Sequence, residues 1–81
     1  MIRHVDIQDS TLRSKIRHRE LIFAGNSKLK IYGLLSCASG RKMKKSNRVF
    51  FVSEPEAIQN GYRPCGHCLR RTYKKWKDGF I

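Results

Sequence analysis

Acidic residues are scarce in this chain, with six Asp and Glu against eighteen Lys and Arg in 81 residues, for a formal charge of +12. So large an imbalance opposes compaction through self-repulsion and is best relieved by a polyanion, of which nucleic acid is the common one. Long apolar runs are missing too. Nothing near the amino terminus is apolar enough for a signal peptide or a membrane span, so the expected location is the cytoplasm. There is no lipidation motif or strongly apolar helix face, so a membrane surface is not an expected partner. Cysteine is sparse and odd in number, at three. In a reducing compartment a Cys-x-x-Cys is a metal clip or a redox pair before it is a structural disulfide. Internal repeats and low-complexity linkers are absent, so residues 1–81 read as one domain, for which no small-molecule substrate is expected.

What is present is a modest core. With 40% hydrophobic and 10% aromatic residues the chain is not compositionally disordered. A chain this short nevertheless buries a small fraction of its surface and needs a staple. Asp9 or Ser10 is placed to cap a first helix bearing Leu12 and Ile16 on one face and ending near His18. Leu21 to Ala24 reads as a strand, Gly25-Asn26-Ser27 as a turn, and Leu29 to Tyr32 as the alternating partner. Ser39 to Asn47 reads as an exposed basic loop and Val49 to Val52 as a third strand. Ser53-Glu54-Pro55-Glu56 has the form of a capping box, with Gly61 as the stop of a short helix. Leu69, Tyr73 and Trp76 recur at helical spacing after the last cysteine, which suits packing onto the domain better than base stacking. The expected fold is a small α+β, zinc-stapled domain, a short three-stranded antiparallel sheet with flanking helices.

Cys65-Gly66-His67-Cys68 is the common zinc half-site, because a two-residue spacer forms a turn that aims both thiolates at one ion. Cys37, just past the second expected strand, supplies a third sulfur. The redox alternative expects the pair to open a helix after a strand in a βαβ setting, which is missing here. The fourth ligand is open. His4, on an amino-terminal arm able to fold back, is the first choice, with His67, water or no fourth ligand as alternatives. His18, at a helix end, has no reason to approach. No carboxylate stands beside the cysteines as a general base, so the chain is expected to bind and not to catalyse.

The basic residues are unevenly spread. No acidic residue falls between Glu20 and Glu54, where seven basic ones do, or between Glu56 and Asp78, where six do. Arg41, Lys42, Lys44, Lys45 and Arg48 in the loop, with Arg70, Arg71, Lys74, Lys75 and Lys77 in the last helix, are the expected nucleic-acid contacts. They would act mainly on phosphates and with little sequence preference. If zinc draws Cys37 to Cys65 and Cys68, the two basic segments are expected to join in one positive face. A protein module meeting an acidic partner, or a residual alkyl-transfer or zinc enzyme, are the alternatives.

Asn47-Arg48-Val49-Phe50-Phe51, Ser53-Glu54, Glu56-Ala57, Gly61-Tyr62-Arg63-Pro64-Cys65 and Cys68 resemble the zinc-binding domain of Ada-type methylphosphotriester DNA repair proteins. The resemblance spans about residues 30–70, and the first helix more loosely. Cys37 matches that family's second zinc cysteine if the basic loop carries one extra residue. The resemblance implies zinc on Cys37, Cys65 and Cys68 and a DNA-facing basic surface. In the family the first of four cysteines, four residues before the second, takes the methyl group. Here that position is Gly33. The methyl acceptor is therefore missing, and repair activity is not implied.

Overall fold

A computed structural model describes residues 1–36 and 43–79, so Cys37, Arg41 and Lys42 lie outside the described residues. The elements run β1 (Ile2–Arg3), a 3-10 turn (His4–Asp6), α1 (Asp9–Arg17), β2 (Phe23–Asn26), β3 (Ile31–Leu34), a second 3-10 turn (Lys45–Asn47), β4 (Arg48–Phe51), α2 (Glu54–Gln59), β5 (Arg63–Pro64) and α3 (Arg70–Lys77). The class is α+β as expected, but the sheet is not three-stranded and antiparallel. It has five strands in the order β1-β4-β2-β3-β5, and β5 runs parallel to β3. The two additions are edge strands of two residues each, too short to show any alternation in sequence.

The hairpin forms, displaced by two residues from the expected register. Asn26 closes β2, and its side-chain oxygen accepts from the backbone N–H of Lys28 at 2.9 Å and of Leu29 at 3.1 Å, an Asx turn that moves the reversal to residues 27–30. Lys30 takes the positive φ of 58°. Gly25 sits inside the strand because Phe51 packs over it. A Cβ there would stand 2.9 Å from Phe51 Cε2 and 3.1 Å from the Ile31 carbonyl.

Register divides the core between the two faces of the sheet. Phe23, Tyr32, Val49 and Phe51 share one face and pack with Ala57 of α2 and with Tyr62. Ala24 and Phe50 share the other, under Leu12 of α1 and Leu21. The Tyr32 hydroxyl, on a ring with no exposed surface, donates to Glu54 Oε2 at 3.0 Å and ties β3 to α2. Burial first, and then Glu54, push its pKa above the ordinary tyrosine range.

Helix ends follow local chemistry in part. Neither Asp9 nor Ser10 caps α1, which starts after Gln8 without a side-chain cap, and Asp9 lies in the first turn where the helix dipole favours it. Ser53 caps α2 as expected, its Oγ accepting from Glu56 N at 3.3 Å. Glu56 reaches back to Val52 N, one residue earlier than a standard capping box. Gly61 takes φ +83° after the helix. Among the described residues no helix is long and apolar enough to cross a membrane.

Candidate metal centre

The cysteine pair is positioned by the parallel edge of the sheet. Ile31 faces Arg63 and Tyr32 faces Pro64, and Cys65 N continues the ladder by donating to Tyr32 O at 2.7 Å. That places Cys65 beside Gly33. The chain then turns, Leu69 N donating to Cys65 O at 3.0 Å, and α3 begins. Two backbone amides point at the sulfurs: His67 N lies 3.4 Å from Cys65 Sγ and Leu34 N lies 3.3 Å from Cys68 Sγ. Amides so aimed orient the sulfurs, as the outer shell of a metal site does. Soft thiolates on a two-residue turn fit zinc.

Gly33 belongs to the same corner. An ideal Cβ built on it would stand 2.7 Å from Cys68 Sγ, 3.1 Å from Cys65 Cβ and 3.9 Å from Cys65 Sγ. A side chain at 33 would therefore touch both cysteines, and rotation about the Cys68 Cα–Cβ bond would make room for it. Met43 lines a recess of about 280 Å³ together with Gly33, Leu34, Cys65 and Gly66. Among the described residues no group of three or more His, Cys, Asp or Glu is placed to hold a metal, so the described centre is the Cys65–Cys68 half-site.

Among the described residues no histidine is grouped with the two cysteines. His4 follows β1, the opposite edge strand from β5, and four strand spacings of about 4.8 Å put roughly 19 Å of sheet between them. Its ring packs edge-on against Phe50, with centroids 5.4 Å apart, and its Nε2 lies 3.9 Å from Asp9 Oδ1. Burial above all, then Lys45 and Arg48, lower its pKa against the opposing pull of Asp9. His18 Nδ1 is bound to Ser14 O at 2.8 Å within its own helix. His67 is exposed, and the contact described for it is the backbone N–H on Cys65 Sγ.

The basic residues are divided between two places. Lys44 is exposed, while Lys45 turns its Nζ to Asp9 at 3.8 Å. Arg48 is half-buried with its guanidinium 5.3 Å from the Phe50 ring centre, and burial lowers its pKa. These lie by β4, whereas α3 packs along β5 at the far edge with Arg70, Arg71, Lys74, Lys75 and Lys77 all exposed. The single face expected from the sequence involves Arg41 and Lys42 as well, which lie outside the described residues. Sequence reasoning also missed Arg63, whose guanidinium lies 5.3 Å from the Tyr73 ring and 5.7 Å from Trp76. No spacing rule links residue 63 to an i, i+3 pair on a later helix.

Compared with known proteins, the chain matches over residues 8–70 the family described as the metal binding domain of Ada. No curated relative and no solved structure matches. The match takes in all of α1, the hairpin, the third long strand and the cysteine knuckle, and the metal of that family is zinc. With more than half its length matched, and with the knuckle's two sulfurs amide-bonded beside Gly33, this chain belongs to the zinc-binding Ada metal-binding domain family.

Proposed function

We propose that this metal-binding module binds nucleic acid through phosphate contacts and does not transfer methyl groups. The observation that carries the first half is α3, on which five cations are exposed and no acidic residue intervenes between Glu56 and Asp78. Phosphate contacts need charge on mobile arms and little else, which a helix with no buried residue supplies. Cys65 and Cys68 are the ligands at the knuckle, and Cys37 is the third. It stands three positions after Leu34, whose amide meets Cys68 Sγ, and that span reaches about 11 Å when extended. Zinc there would fasten β5 and α3 to the sheet.

The second half rests on Gly33, a residue without a side chain at the acceptor position. Incubation with methylphosphotriester DNA followed by mass spectrometry is expected to leave every cysteine unmodified, and label on Cys37 would overturn it. Gly33→Cys is expected to add a fourth thiolate, seen as stronger sulfur-to-metal charge transfer in the cobalt-substituted protein.

Anisotropy titrations of duplex DNA at several salt concentrations test the binding. Log affinity is expected to fall against log salt by about 0.9 per phosphate neutralised. Replacing Lys74 and Lys75 by Ala should shallow the slope by about two, and replacing Lys44 and Lys45 by less, since Asp9 already engages Lys45. No binding at low salt would shift the reading to an acidic protein partner.

A further inference from the structure

Trp76 is the chain's single tryptophan, and it is 38% exposed although it stands on the same helix face as half-buried Tyr73. The sequence pattern assigns both rings to packing. Tyr73 does pack, its ring 3.4 Å from where a Cβ on Gly66 would sit, so the knuckle serves as its floor. Trp76 lies outside it, with ring centroids 5.8 Å apart and planes tilted by 34°. The Arg63 guanidinium stands over both, and its Nη1 is fixed by a 3.1 Å bond to Pro64 O. Two rings and a planar cation are thus held together at the protein surface by β5 and the knuckle.

We infer that Trp76, backed by Tyr73 and Arg63, stacks on an unpaired nucleobase of a single-stranded segment. A base has a π-face to lay on the indole, and the strand that carries it has phosphates to meet cations. Arg70 stands three residues before Tyr73 and Lys77 four after it, so cations border the rings at both ends of the same helix face. An apolar protein surface would match the rings but not this charge, and a paired base in a duplex does not offer its face. The inference rests on the nucleic-acid reading above and adds to it the state of the base that is recognised.

Trp76 is also its own reporter, being the only tryptophan. The zinc-loaded full chain is titrated at low salt with an oligothymidylate, an oligouridylate and an abasic deoxyribose-phosphate strand of the same length, following indole fluorescence and anisotropy. Both base-bearing strands are expected to quench the indole and to bind roughly five- to a hundredfold more tightly than the abasic strand, the range that stacking on an aromatic side chain supplies. Trp76→Leu should equalise the strands, and Trp76→Phe should restore part of the preference. Zinc content and circular dichroism check that each variant is folded. Equal affinity of the normal chain for abasic and base-bearing strands without quenching overturns the stacking site and leaves phosphate binding standing. So does a preference that survives Trp76→Leu. Failure of every strand, and of duplex, to bind removes both readings together.

Discussion

The β1-β4-β2 side of the sheet and the β5-knuckle-α3 side are built on different physics. On the first, Phe50 and Val49 are about 1% exposed and Phe51 not at all, with α1 and α2 closing over them. On the second, α3 has no fully buried side chain, and what ties it down is a two-residue parallel strand, a turn around two sulfurs, and half-buried Leu69 and Tyr73. Apolar burial dominates the first half. The other has too little apolar surface to offset the entropy of ordering a helix of eight residues, which is marginal alone in water. A metal at the knuckle, as proposed above, would close that deficit. On that proposal the region that presents the cations and the exposed indole would be the one most dependent on zinc.

Metal removal should have the largest effect. Structural zinc sites are worth on the order of 10 kcal/mol in apparent binding free energy, comparable to the whole stability of a small domain. Chelation or Cys68→Ser is expected to abolish the cooperative melt, with amides of α3 losing hydrogen-exchange protection before those of β2 and β4. Unchanged melting and exchange in a metal-free preparation would erase the contrast between the halves.

Phe51→Ala comes next, at about 3–5 kcal/mol for a fully buried phenyl ring. It acts through the core, so urea titration should show the loss while zinc content in the native baseline stays near one per molecule. Trp76→Leu, by comparison, should leave the midpoint almost unmoved. A smaller loss follows from Ser53→Ala, which removes the α2 cap for about 1 kcal/mol and lowers the melting temperature by roughly 4–8 °C.

The smallest effect is a pH dependence. His4 is held below its ordinary pKa, so the folded state binds fewer protons there than the unfolded one. Its contribution is present in full above about pH 6.5 and is lost as pH falls toward the lowered folded value. His4→Gln should flatten part of the decline in melting temperature between about pH 7 and pH 5. An unaltered decline would mean that His4 contributes none of it.

Several features were legible in the residues themselves. Leu12 and Ile16 at helical spacing marked α1, the Val49-Phe50-Phe51 run marked β4, Ser53 marked its own helix, and Cys65-x-x-Cys68 marked the knuckle, each because the signal is local. That residue 33 is a glycine was also a fact of sequence. That position 33 touches both knuckle cysteines was a matter of strand pairing. Tertiary structure alone decided whatever depended on which strands become neighbours. Two-residue edges carry no periodicity, so β1 and β5 were invisible, and with them the separation of His4 from the cysteines. The hairpin slipped because Phe51, distant in sequence, needed the space over Gly25, and Asn26 bonded the turn ahead of it. Arg63 reached Tyr73 and Trp76 by the same route, since parallel pairing with β3 aims the chain back under α3. Local patterns write helices, caps and metal turns because their partners lie within a few residues. Sheet order and the meeting of distant side chains depend on packing that no short window of sequence contains.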